Sequence, residues 1–147
     1  MNKIHSAFSV VLLLGFLVVI GCKDNTPPPK TDVQIQTEKL SKTWVVQQTA
    51  SAVTISGTDV SSAWSSFTLT ISDGSYSTNG ADNVLVWPSS GTWDFATGDV
   101  STVVRDDGVQ VSVSVTDSSL TLSFNFSSTG GRLTGIDGNW IFKMAPQ

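Results

Sequence analysis

From residue 109 onward the chain alternates almost strictly. Val109, Val111, Val113 and Val115 are separated by polar residues, and after Thr116-Asp117-Ser118-Ser119 the set Leu120, Leu122, Phe124 and Phe126 does the same. Alternation of period two puts one set of side chains on one face of a strand, so each segment buries one side and wets the other. The pattern runs back, less regularly, to Trp44, which heads a strand over 44–49 that resumes at Val53-Thr54-Ile55. Phe67, Leu69 and Ile71 alternate with Thr and Ser up to an Asp73-Gly74 turn, which leads into Tyr76. A short apolar run at 84–87 stops at Pro88, Trp93 and Phe95 alternate with Thr92 and Asp94, and the segment 100–105 ends at a second turn signal, Asp106-Asp107-Gly108. A connection containing Gly130-Gly131 leads to Trp140, Phe142 and Met144. Ahead of the strands, residues 37–42 read as one helical turn, with Thr37 as its cap and Leu40 facing inward. About eight strands at near-regular spacing predict an all-β fold, an antiparallel meander closing as a barrel or a β-sandwich.

The first 36 residues follow different rules. Lys3 gives a positive start, and residues 7–20 are an uncharged, mostly apolar run of the kind found in export signals. The run falls short of the roughly 20 apolar residues that cross a bilayer, and Lys23-Asp24-Asn25 follows it without a basic stop-transfer cluster. Val19-Ile20-Gly21-Cys22 resembles the lipobox of bacterial lipoproteins, which implies a diacylglycerol on the Cys22 thiol and a mature chain starting there. Each buried CH₂ contributes about 0.8 kcal/mol, so one acyl chain binds reversibly and two or more hold stably. Pro27-Pro28-Pro29 favours an extended polyproline II spacer. The expected organisation is a signal peptide over 1–21, a lipidated cysteine and proline-rich tether over 22–36, and a β domain over 37–147. Lys23-Asp24-Asn25 also resembles the charged segment that some lipoproteins carry for surface export. The expected location is the outer membrane, on its periplasmic face or at the cell surface.

Composition narrows the chemistry. Only 14% of residues are charged, and Glu38 is the single glutamate, which suits hydroxyl-covered sheets better than helices. The net charge of −4 becomes −5 once Lys3 leaves with the signal, and no basic cluster remains to neutralise phosphates, so nucleic acid is excluded as a partner. The one histidine, His5, lies in the export segment, and Cys22 is the one cysteine. The mature chain therefore has no imidazole to activate a serine and no thiol pair for a disulfide or zinc. Asp94, Asp99, Asp106 and Asp107 are the carboxylates available for acid–base work, yet each sits at or beside a turn, where Asp bonds to local backbone. Asp82, Asn83 and Asp137 offer oxygen ligands without EF-hand spacing. The expectation is a protein without enzymatic activity, cofactor or metal.

Several short pieces resemble lipoproteins with a lipocalin-like domain, and together they cover most of residues 37–144. Leu40-Ser41-Lys42-Thr43-Trp44 looks like that family's opening, a helical turn feeding a first-strand tryptophan. Phe67-Thr68-Leu69-Thr70-Ile71 with Asp73-Gly74-Ser75-Tyr76 resembles its central hairpin. Gly91-Thr92-Trp93-Asp94-Phe95, Arg105-Asp106-Asp107-Gly108 and Leu120-Thr121-Leu122-Ser123-Phe124 follow in the same order. Lys42 stands where lipocalins usually carry glycine, and Arg132 is the candidate for the arginine that family stacks across its tryptophan. The resemblance implies a lipocalin-like barrel open at one end to a small apolar or glycan ligand.

Of the five tryptophans, Trp44, Trp93 and Trp140 follow the strand alternation and read as core. Trp64 and Trp87 lie in connections, where each either stacks on a ligand at the barrel mouth or caps an open end of the core. They are the candidate ligand-binding residues. The expected function is a membrane-anchored, non-enzymatic binding lipoprotein. The alternative is a structural or accessory surface lipoprotein that docks a membrane protein partner.

Overall fold

The computed structural model describes residues 27–128 and 135–147, so Cys22, the export segment and Arg132 lie outside the described residues. The first element is α1, Asp32–Leu40. It starts five residues earlier than the helical turn expected at Thr37, because Thr31 and Gln34 form a reciprocal capping box. Gln34 N–H donates to Thr31 Oγ1 at 3.2 Å, and Thr31 N–H donates to Gln34 Oε1 at 2.9 Å. Thr37 is an interior helical residue, while Leu40 faces inward as expected and is buried.

Ten strands follow: β1 Thr43–Val46, β2 Val53–Ile55, β3 Thr58–Asp59, β4 Thr68–Ser72, β5 Ser75–Asn79, β6 Ser90–Ala96, β7 Asp99–Arg105, β8 Gln110–Val115, β9 Leu120–Phe126 and β10 Gly138–Pro146. From β4 to β10 each strand pairs antiparallel with the next, and β1 joins β4 on one side and β10 on the other. The registers Trp44↔Leu69 and Trp44↔Pro146 close the ring. The fold is therefore an eight-stranded antiparallel barrel of lipocalin-like form with one short helix, and not a sandwich. β2 resumes along β10 where β1 leaves it, with Trp140 opposite Ile55 and Phe142 opposite Val53, and β3 folds back on β2 as a hairpin. The short apolar run at 84–87 is not a strand. It is a turn in the connection between β5 and β6.

Closure by register fixes two poles. At one, α1 packs against β4, β7 and β8 and covers the barrel end, tied down where Trp44 Nε1 donates to Leu40 O at 2.9 Å. At the other lie the connections 80–89 and 106–109 and the long segment between β1 and β4, which includes the 3₁₀ turn Ser61–Trp64. The two are called the helix pole and the loop pole below.

The inward set along each strand is the alternating one: Leu69 on β4, Val111 and Val113 on β8, Leu120, Leu122 and Phe124 on β9, and Trp140, Phe142 and Met144 on β10, all buried. On β5 and β6 the inward pair is Tyr76 opposite Gly91. A β carbon on Gly91 would lie 2.6 Å from Tyr76 Oη and 2.7 Å from Asp106 Oδ1, so the absent side chain is what admits the phenol ring. Overpacking of this kind costs about 1–3 kcal/mol. Gly91→Ala is expected to lower stability by that amount in urea titration. In a Tyr76→Leu background the same substitution should cost clearly less, and equal costs in both backgrounds would disprove the steric account.

Candidate functional site

The alternation that builds the wall also fills the bore. Trp64, on the 3₁₀ turn, drops into the loop pole and packs edge-on against Phe142 at 5.0 Å, Phe67 at 5.2 Å and Trp140 at 5.6 Å between ring centroids. Trp87, on the connection 80–89, packs edge-on against Phe124 at 5.6 Å and Tyr76 at 5.8 Å. Such pairs are each worth about 0.5–1.5 kcal/mol beyond the area they bury. Trp64 is 1% exposed and Trp87 3%, so neither presents a ring face to solvent. Both rings lie at the loop end of the core.

Among the described residues, a cavity of about 30 Å³ lies between Trp87 and Leu40 of α1, lined by side chains of β4–β9 that include Tyr76, Trp93 and Arg105. That is room for little more than a water molecule, whereas small-molecule sites run to about 300–1,000 Å³. A second hollow, about 140 Å³, opens at the loop pole between residues 46–49 and the 3₁₀ turn. Several of its polar side chains bond to their own surroundings. Gln48 Nε2 donates to Val46 O at 3.2 Å, Ser65 Oγ to Ser62 O at 3.1 Å, and Ser61 Oγ to Asp59 Oδ1 at 2.5 Å.

The charged residue of the interior is Arg105, which the alternation of β7 turns inward after Val103. Its guanidinium lies 4.7 Å from the Trp87 ring centroid and 5.7 Å from that of Phe124. Nη1 donates to Val86 O at 2.9 Å, and Nε and Nη2 both donate to the Asp107 carboxylate in a bidentate pair. The sequence placed the stacked arginine at Arg132. That residue lies outside the described ones, and the cation nearest Trp44 is Lys42 Nζ, at 5.6 Å. Arg105 was missed because it stands next to a turn signal, although its place two residues after Val103 marks it as inward.

Around Arg105 the polar accounting is incomplete. Tyr76 Oη and Trp87 Nε1 are buried and have no hydrogen-bond partner among the described residues. Burial holds the Tyr76 phenol above its ordinary pKa, opposed by the Arg105 charge and reinforced by Asp106 and Asp107. Partial burial pushes the Asp107 carboxyl upward, but the hydrogen bonds from Arg105 and Val109 N–H outweigh it and leave the group below its ordinary range.

Three of the carboxylates considered for acid–base work are engaged locally, Asp107 by Arg105 as above. Asp99 accepts from Ser101, and Asp94 accepts from Phe95 N–H at 2.7 Å. The oxygen ligands considered for calcium are also engaged locally. Asn83 Oδ1 accepts from Leu85 N–H at 2.9 Å, and Asp137 Oδ1 accepts from Ser128 N–H at 2.7 Å. Among the described residues no three His, Cys, Asp or Glu side chains gather as a metal site, and no helix is long and apolar enough to cross a membrane.

Because folding lowers the Asp107 pKa, the unfolded chain takes up that proton more readily. The stability it contributes is complete well above 3.8 and is lost as pH falls through the lower folded value. Asp59 and Asp99, also lowered, act in the same direction. Asp107→Asn should cost about 1–3 kcal/mol at neutral pH by leaving a buried guanidinium half-partnered. It should also shrink the fall in urea midpoint below about pH 4. An undiminished acid fall would show that the Arg105–Asp107 pair does not carry it. Comparison with protein-family models, curated proteins and solved structures finds no match to the chain.

Proposed function

We propose that the protein is a non-enzymatic, lipid-anchored accessory lipoprotein that acts through the outside of its barrel by docking a protein partner. The carrying observation is the filled bore. Among the described residues, Trp64 and Trp87 pack into the loop pole, α1 covers the helix pole, and the cavity between Trp87 and Leu40 is about 30 Å³. A barrel packed in this way is a rigid carrier for its loops and outer faces.

The anchor in this proposal rests on sequence. Val19-Ile20-Gly21-Cys22 has the lipobox form, and residues 23–31 join it to α1 as a short spacer. Residues 27–30 belong to no helix or strand, which suits a spacer leading straight into the Thr31 cap.

A second reading, a small apolar or glycan ligand, keeps one observation in its favour. Tyr76 Oη and Trp87 Nε1 are buried donors without a partner among the described residues, and both residues line the small cavity. A ligand offering an acceptor would satisfy them, but only if the connection carrying Trp87 first swung out and released the Arg105 stack.

Two measurements test the proposal. Metabolic labelling with palmitate should mark the wild-type chain and not Cys22→Ser, and the variant should leave the membrane fraction; equal labelling of both would end the anchored reading. Tryptophan fluorescence should stay flat across lipid and glycan panels. A saturable spectral shift with any of them would replace the docking reading by the ligand one.

A further inference from the structure

The connection between β5 and β6 points two neighbouring residues inward and two outward. Val86 and Trp87 are buried, while Val84 is 64% and Leu85 49% exposed. The turn is tied at every step. Val86 and Trp87 N–H both donate to Asn83 O at 3.1 Å, and Leu85 N–H donates to Asn83 Oδ1 at 2.9 Å. Behind it, Arg105 holds Val86 O, and Thr78 Oγ1 donates to Pro88 O at 2.9 Å. The two apolar side chains are thus displayed on a backbone already fixed, so little ordering entropy is lost when a partner covers them.

The described lysines gather toward the helix pole, where Asp32, Glu38, Asp73, Asp99 and Asp117 also lie, so that end is of mixed charge. Among the described residues, Lys30, Lys39 and Lys42 lie on or beside α1, and Lys143 sits on β10 opposite Thr121, toward the same end. At the loop pole the described arginine, Arg105, is buried and paired, whereas Asp82, two residues before Val84, is exposed, as is Asp106 on the β7–β8 turn that Arg105 joins to this connection. The tether leaves from the helix pole, so Val84 and Leu85 sit at the end away from the chain's attachment.

We propose that Val84 and Leu85, with the exposed carboxylates of Asp82 and of the β7–β8 turn at the same pole, form the docking patch for a protein surface that presents cationic groups around an apolar contact. This rests on the accessory reading above and names the site it uses. A second copy of the chain is disfavoured as the occupant, since two acidic rims would meet. A lipid surface is disfavoured by the position of the patch opposite the tether. Two side chains make a small anchor, so the contact is weak and sensitive to salt.

The test is an NMR titration of the full mature chain with a synthetic peptide of Lys, Leu and Ser, against the same peptide with Glu in place of Lys. The Lys peptide should shift the Val84 and Leu85 methyl signals, and its affinity should fall with added salt. The double variant Val84→Ser/Leu85→Ser should weaken it at least tenfold, and Asp82→Asn severalfold, with thermal melting unchanged because these side chains are exposed. Equal binding of the Glu peptide would overturn the proposal, as would shifts centred elsewhere. So would self-association or anionic-vesicle binding that depends on the two apolar residues. Running the titration on Cys22→Ser as well separates the two ideas, because failure of the anchor leaves peptide binding intact.

Discussion

A buried guanidinium is the constraint around which the loop pole is organised. A cation taken out of water is tolerated only if its donors are met and its charge is balanced. Arg105 achieves this through the Val86 carbonyl, the Asp107 carboxylate and the faces of Trp87 and Phe124. Each partner comes from a different part of the chain: the β5–β6 connection, the β7–β8 turn and β9. Satisfying one side chain therefore fixes the position of two connections against the wall. The tryptophan that closes the bore is held by the same contact that neutralises the charge, so plug and latch are one unit.

That coupling explains why the bore is full. An eight-stranded barrel has an interior just wide enough for side chains to fill or for one small ligand. Here the choice is made by aromatic residues delivered from outside the strands. Trp64 and Trp87 add ring volume at one pole, and Leu40 adds an aliphatic stop at the other. Opening the bore would mean losing the edge-on packing of Trp87 and leaving Arg105 without its stacking face. It would not be free of benefit, since Trp87 Nε1 and Tyr76 Oη lack partners among the described residues. Several aromatic contacts and a stacked cation outweigh two unmet donors, and the closed arrangement follows from that balance.

The wall of this fold was legible in the sequence, and its ends were not. Val111, Val113, Leu120, Leu122 and Phe124 declare their faces because period two leaves them no other way to be buried. The resumption of the first strand at Val53 was visible for the same reason. Barrel against sandwich was not, because both satisfy the same alternation; only the pairing of β1 with β10 separates them, and that is a contact between residues about 100 positions apart. The helix start was written locally, in Thr31 and Gln34, but the proline run before it and the weak apolar pattern of 32–36 made that stretch read as tether. Residues 84–87 read as a strand fragment because their hydrophobicity is real. Two of the four face inward and two outward, and a run that short cannot say that it is a turn. The candidate residues Trp64 and Trp87 were ambiguous in kind, since a tryptophan in a connection has no periodicity to orient it.

Filling and tethering are complementary on the lipoprotein reading. A barrel packed with aromatic side chains acts through its exterior on this reading, and isolated exterior contacts of a few side chains are weak. A tether changes that arithmetic without adding a contact. A nine-residue spacer spans at most about 28 Å at about 3.1 Å per residue, which on this reading would confine the domain to a thin layer above the lipid. Any partner held in the same layer meets it at a high effective concentration, and modest surface complementarity then suffices for association. Because the spacer joins the domain at α1, the rigid turn at Val84 and Leu85 lies at the opposite end of the barrel. In such a design the interior serves stability alone, and specificity rests on what the locked connection holds outward.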